Sequence, residues 1–349
     1  MAAELRRDLV RDNWVVIATD RALKPNDFPI NKGWENTRKS GQHFCPFCEG
    51  NESYTTDEIA AYRDNNTLPN TPGWTVRTFP NKFSAFQLEG ELELKYSGVY
   101  ESCNGLGQHE VVVETPQHGV EFHQLPAEQI KQIYLMLQQR YRQLASDPRI
   151  KYIQIYKNRG LFAGASLEHS HSQILALPSV PRENQGLSKY YQQQGKCLLC
   201  ATQEVERESQ QRLIYESEHF QLICPYASRF SYETWLIPRR HTEHFADINE
   251  EELNDLVAVI KIFIPAMLDC LNDPSYNIVI NTAPVNWNFA GGYHWYMEII
   301  PRLIVAAGVE FATGFYMNPV APEIAATMLR EKVEEFLKGK QGDGSFASF

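Results

Sequence analysis

The chain has 349 residues, of which 43% are hydrophobic and 12% aromatic, enough to fill the cores of two domains. Its 33 Lys and Arg against 43 Asp and Glu leave a net charge of -10 and a pI of about 5.5, which excludes the basic surface of a nucleic-acid binder. No signal-peptide core lies in Met1 to Asp8 and no later run approaches a membrane span, so a cytoplasmic protein is expected, with its seven cysteines as thiols or metal ligands rather than disulfides.

Charge alternates from Arg6 to Asp12, and a β-rich strand follows from Asn13 to Ala18. The loop Arg21-Ala22-Leu23-Lys24-Pro25 comes directly after that strand end, where it could meet a ligand's phosphates or simply be solvated. Cys45-Pro46-Phe47-Cys48 has the spacing that lets two thiolates take adjacent corners of a zinc tetrahedron, which is half of a site. Strands are expected from Trp74 to the Pro80-Asn81 turn and from His109 to Thr115, with His118 past the second strand's end.

Residues 126–146 read as a helix, because Ile130, Ile133, Tyr134, Leu137, Tyr141 and Leu144 recur at three- and four-residue spacing. After Asp147-Pro148, the strand Tyr152 to Tyr156 delivers the chain to Lys157–Ser166, read as a turn whose backbone amides could cradle a phosphate. Then comes Glu168-His169-Ser170-His171-Ser172-Gln173, where a strand period of two puts His169, His171 and Gln173 on one face. A neutral imidazole beside an anion-binding turn suits attack on phosphorus.

The Gln-rich stretch 181–194 reads as a linker. Beyond it lie Cys197-Leu198-Leu199-Cys200, strands ending near Tyr226 and His241, a helix over about 250–271, a strand Asn277 to Asn281, and Tyr293 to Pro301. The two halves therefore repeat one order: C-x-x-C, strands, helix to Asp-Pro, strand, glycine turn, histidine-bearing strand. Cys45, Cys48, His118 and His169 match Cys197, Cys200, His241 and His294, which predicts two closed, structural zinc sites per chain. The match sets His171 opposite Tyr296 and Gln173 opposite Glu298, so His171 is free for chemistry in one half only. His43, His109, His123, His219 and His244 have no such pairing and read as ordinary histidines.

The His-Ser-His-Ser-Gln motif at 169–173, Cys-Pro-Phe-Cys at 45–48, Val-Arg-Thr-Phe-Pro-Asn at 76–81 and the duplicated half resemble the galactose-1-phosphate uridylyltransferase branch of the histidine-triad superfamily over nearly the whole chain. The resemblance implies an α+β fold, a duplicated histidine-triad-like unit with antiparallel sheets in a half-barrel and helices packed on one side. The halves would be 1–185, with the nucleophile and first zinc site, and 186–349, with the second. It implies that His171 attacks the α-phosphorus of a nucleotide sugar, that Gln173 supports the phosphoryl oxygens, and that hexose 1-phosphate is the leaving group and acceptor. Nucleotide-contacting residues would be Arg77, Asn81, Asn158, Gly164, Ala165, Ser166 and Leu167. Arg21, Ala22, Leu23, Lys24, Tyr54, Thr55, Thr56, Val309 and Glu310 would line the nucleotide-sugar site, and a homodimer is expected. Well-studied members carry proline between the two histidines, whereas Ser170, the segment 195–200 and Gly314 to Val320 look closer to the plant ADP-glucose phosphorylase branch, which transfers AMP to inorganic phosphate. A zinc-scaffolded nucleotide-binding module without catalysis is the reading from another class, and neither nucleic acid nor membrane is an expected partner.

Overall fold

The computed structural model describes residues 4–18, 44–63, 66–181, 185–288 and 291–342. In chain order its elements are β1 (Glu4–Asp8), β2 (Asn13–Ile17), β3 (Ala60–Arg63), β4 (Trp74–Pro80), β5 (Leu94–Ser97), β6 (Tyr100–Cys103), β7 (Gln108–Val113), α1 (Ala127–Ala145), β8 (Tyr152–Arg159), β9 (His171–Leu177), α2 (Gln185–Gln194) and α3 (Leu198–Ser209). They continue with β10 (Leu213–Glu216), β11 (Phe220–Ile223), β12 (Thr234–Pro238), α4 (Glu250–Cys270), β13 (Tyr276–Asn281), β14 (Tyr296–Pro301), α5 (Gly308–Thr313), β15 (Tyr316–Asn318) and α6 (Pro322–Gly342).

Ten strands form one antiparallel sheet in the order β10-β11-β12-β14-β13-β8-β9-β7-β4-β3, and its two edges do not close into a barrel. Strands β13 and β8 meet at its centre, with Tyr276 opposite Arg159 and Ile280 opposite Ile155. The fold is α+β with antiparallel sheets, as the resemblance implies. A small sheet β1-β2-β15 stands beside it, with β15 parallel to β2, and β5 and β6 pair only with each other.

Alternation along the strands creates two faces. Ile153, Ile155, Ile174, Ala176, Leu222, Leu236, Met297 and Ile299 point to one, where they share a core with α1, α4 and α6. The apolar spacing read from sequence supplies the α1 side of that core, and a capping box starts α4: Asn249 accepts from the Glu252 amide and Glu252 from the Asn249 amide, each at 2.9 Å. Helix α6 lies beyond the elements expected from sequence; its Ala325, Leu329 and Val333 recur every four residues and are buried.

On the opposite face, Ile223, Trp235, Ile237 and Tyr296 pack against Leu187 of α2 and Leu198 and Leu199 of α3. The stretch 181–194 is thus no linker: from Gln185 it is a helix whose polar composition belongs to its outer side, while Leu187 is anchored in a core. Gly186 allows that contact, since a Cβ there would lie 2.0 Å from the Leu9 carbonyl oxygen. Among the described residues no helix is long and apolar enough to cross a membrane.

Candidate active site

The matched cysteines and histidines converge in two groups, Cys45, Cys48, His118 and His169 in one and Cys197, Cys200, His241 and His294 in the other, and within each group the ligand atoms lie within 4.8 Å of one another. In the first, His169 Nδ1 is 3.6 Å from both sulfurs and His118 Nδ1 is 3.5 Å from Cys48 Sγ. The second repeats this at 3.6, 3.5 and 3.5 Å. A tetrahedral ion bound at about 2.3 Å to sulfur and about 2.0–2.1 Å to nitrogen requires an S···N edge of about 3.6 Å, so these donors fit such an ion. His169 Nε2 donates to the Thr115 carbonyl at 2.7 Å, which leaves Nδ1 deprotonated and ready to ligate.

Two residues after His169, His171 begins β9. Its Nδ1 lies 2.7 Å from the His169 carbonyl oxygen, which can only accept, so the proton sits on Nδ1 and the Nε2 lone pair is available. Burial pushes the His171 pKa below the ordinary histidine value, which keeps the ring neutral near pH 7. The ring meets Phe47 edge-on at 5.3 Å and lines a cavity of about 460 Å³ together with Gln173, Thr55, Asn81, Ser166 and Leu167. Tyr54 and Phe83 stand at its rim, 54% and 89% exposed.

Gln173 is oriented by two residues that sequence reading passed over. His109 Nε2 donates to Gln173 Oε1 at 2.9 Å and the Tyr156 hydroxyl donates to the same oxygen at 3.0 Å. Asn81 Nδ2 in turn donates to His109 Nδ1 at 3.3 Å, consistent with a His109 protonated on Nε2. With its oxygen taken, Gln173 has its amide N–H groups to offer, and these have no partner among the described residues. Only register reveals the cluster: Gln173 pairs with Tyr156 on one side and with Val111, two residues from His109, on the other. Gln173→Ala should lower the transfer rate on the order of a hundredfold, as for loss of one donor to a developing charge. His109→Ala, which frees the amide to rotate, should cost roughly tenfold, and a His109 variant slower than the Gln173 variant in single-turnover assays would contradict this order.

The remaining expected residues divide. Arg77 is 1% exposed and lies under the site, its guanidinium donating to Thr55 Oγ1 at 3.0 Å, to Glu58 and to Asn70. Thr56 Oγ1 donates to the Pro80 carbonyl. Asn158 accepts from Asn277 Nδ2 at 2.8 Å. The expected phosphate-cradling turn is shorter than its reading: Lys157, Asn158 and Arg159 belong to β8, and the amides of Ala163, Gly164 and Ala165 bond to carbonyls inside the turn. Gly160 opens it at φ +86, where a Cβ would meet Ser275 Oγ at 2.1 Å. Val309 and Glu310 lie on α5, which packs on β15, and do not line the cavity of their own chain. Arg21, Ala22, Leu23 and Lys24 fall outside the described residues.

In the other half, Glu298 sits between Trp235 and Val279 as Gln173 sits between Val111 and Tyr156. There the acid is locked by Arg11 and by Arg229, 2.9 Å away, and Tyr296 stands where His171 would be, with no surface exposed.

Comparison with known proteins follows the same division. The family model for galactose-1-phosphate uridyl transferase, N-terminal domain, matches residues 2–181, and that for the C-terminal domain matches 183–337. The chain is 35% identical to an ADP-glucose phosphorylase of Arabidopsis thaliana over 94% of this chain and 92% of that protein. It is 30% identical to a galactose-1-phosphate uridylyltransferase of Thermotoga maritima over 94% and 98%. A crystal structure of an Arabidopsis thaliana ADP-glucose phosphorylase with bound ADP-glucose superimposes with a TM-score of 0.78 at 32% identity, covering 95% of this chain and 99% of that one.

Proposed function

The chain belongs to the galactose-1-phosphate uridylyltransferase family and is a nucleotidyltransferase, and we propose that it moves a nucleoside monophosphate between a nucleotide sugar and an acceptor through a covalent nucleotidyl-His171. One observation carries this reading. The Nε2 of His171 and the amide nitrogen of Gln173, both without a partner among the described residues, belong to side chains that line the same cavity.

In the first half-reaction His171 Nε2 forms a bond to the α-phosphorus while the bond to the sugar-phosphate oxygen breaks, and the hexose 1-phosphate leaves with that electron pair. The proton stays on Nδ1, donated to the His169 carbonyl oxygen, which stabilises the charge the ring acquires, and Gln173 donates to the non-bridging oxygens. An incoming phosphate oxygen then displaces His171 by the reverse course. The acceptor is hexose 1-phosphate in the uridylyltransferase reading and inorganic phosphate in the ADP-sugar phosphorylase reading. The serine at 170 and the 35% identity to the phosphorylase, against 30% to the uridylyltransferase, favour the second.

Two structural zinc ions belong to the proposal, one per Cys/His group. Each group uses all four corners of a tetrahedron, so it holds strands in place and leaves no position for substrate. The two halves, 1–185 and 186–349, are the units so scaffolded. A homodimer is proposed because Val305, Val309 and Phe311 are 69%, 51% and 82% exposed, and a second copy would cover them and bring Val309 and Glu310 toward its own cavity. Thiol ligands suit a reducing, cytoplasmic setting.

Labelled ADP-glucose and UDP-glucose, supplied separately, decide the nucleotide. The expected result is acid-labile, base-stable label on the protein from ADP-glucose, chased off by inorganic phosphate. Label from UDP-glucose chased by hexose 1-phosphate would select the uridylyltransferase reading, and label from neither would leave a non-catalytic nucleotide-binding module. Sedimentation as a monomer at micromolar concentration would remove the dimer.

A further inference from the structure

A serine flanks His171 on each side, and strand alternation sends both toward the helical layer, away from the cavity. There they meet Glu114, just past the end of β7 and 0% exposed. Ser170 Oγ donates to Glu114 Oε2 at 2.5 Å and Ser172 Oγ to Glu114 Oε1 at 2.6 Å. Lys157 of β8, 4% exposed, completes the group. Its Nζ donates to Glu114 Oε2 at 2.6 Å, to Ser170 Oγ at 3.0 Å and to the His171 carbonyl at 3.2 Å. All three ammonium protons have an acceptor and both carboxylate oxygens are taken, so the cluster is closed and spans three adjacent strands.

A buried ion pair is weak evidence for stability, because apolar residues of similar volume often serve as well or better. What apolar packing does not do is grip residues 170, 171 and 172 in succession from below while the imidazole of the middle one faces the cavity. We propose that Lys157 and Glu114 are positioning residues for nucleotidyl transfer: through Ser170, Ser172 and the His171 carbonyl they fix the backbone from which Nε2 approaches phosphorus. The proposal rests on reading His171 as the nucleophile. Displacement of a reacting group by about 1 Å can cost on the order of a hundredfold in rate, which sets the scale of the effect.

Lys157→Ala alone strands a buried carboxylate and invites unfolding, so the decisive variant is the double Lys157→Met, Glu114→Gln. It removes both charges at similar volume and leaves an amide for the serines to bond. In single-turnover labelling, the folding transition, the metal content and the nucleotide-sugar affinity should stay near wild type while the labelling rate falls roughly 30- to 100-fold. A second double variant, Ser170→Ala, Ser172→Ala, leaves the ion pair intact, decides the matter if the first does not fold, and should lose about tenfold in rate. Labelling within threefold of wild type in every folded variant overturns the proposal, as does weakened affinity at unchanged rate, which would make the cluster a support for binding. Wild-type protein run in parallel separates the two layers. If it takes no label, the nucleophile reading falls and the proposal with it; if it labels and the variants label as fast, the proposal alone falls.

Discussion

His171→Ala should abolish covalent labelling while leaving the fold and both Cys/His groups near wild type. The ring contributes no ligand atom to either group, and its only hydrogen bond among the described residues is to the carbonyl of His169, whose own side chain is held independently by Cys45, Cys48 and the Thr115 carbonyl. Truncation therefore opens space at the floor of a solvent-accessible cavity rather than a void in a core, a change of at most a few kcal/mol in stability. On the proposed reading the chemical loss is far larger, because removing a nucleophile that acts as one unit with the groups that aim it costs several orders of magnitude. Overall exchange and the half-reaction should fall together, since no residue of the second half replaces it: Tyr296 is buried at the matching position and Glu298 beside it is locked by two arginines. Quantifying acid-labile label per folded chain tests this. Label retained in the variant would place the nucleophile elsewhere.

Much of this arrangement was legible in the sequence because it rests on short-range patterns. The helical spacing in α1 and α4, the C-x-x-C pairs and the alternation of His169, His171 and Gln173 are each visible within a few residues, and the duplication turned eight scattered ligands into two sets of four. What was missed depends on which strand lies beside which. His109 looked ordinary until β7 was seen antiparallel to β9, in a register that brings it to Gln173. Lys157 opens the stretch whose backbone amides read as a phosphate cradle, but its alternation with Ile153 and Ile155 places it on β8 and carries it to the helical face, where Glu114 neutralises it. Helix α2 was hidden by composition, since few of its side chains are apolar, and its anchor at Leu187 shows only against the core it enters. The turn 160–166 failed for a further reason: small residues leave amides bare in sequence, but three of them are satisfied within the turn.

Removing a ligand from each Cys/His group in turn should separate scaffold from chemistry. Wild-type protein is expected to hold about two zinc ions, and Cys45→Ser and Cys197→Ser about one each, as four-ligand sites lose most of their affinity with one thiolate. Structural zinc can contribute on the order of 10 kcal/mol to folding in small domains; here each site lies beside a large core, so a loss of several kcal/mol and a clear fall in Tm are expected from either change. The labelling rate should distinguish them. In the first group a bound ion would hold His169, whose carbonyl accepts from Nδ1 of His171 two residues along, so on the proposed reading Cys45→Ser should loosen the nucleophile as well as the fold. The second group anchors His294 ahead of Tyr296 and Glu298, on β14, separated from β9 in the sheet by β13 and β8. Cys197→Ser protein that remains folded should therefore label at close to the wild-type rate, whereas Cys45→Ser protein should be slower by roughly tenfold or more, as when a partner that orients a functional histidine is removed. Equal rate losses in the two variants, measured well below both transitions, would show that the sites act through overall stability alone and would dissolve the link between the first metal and the nucleophile.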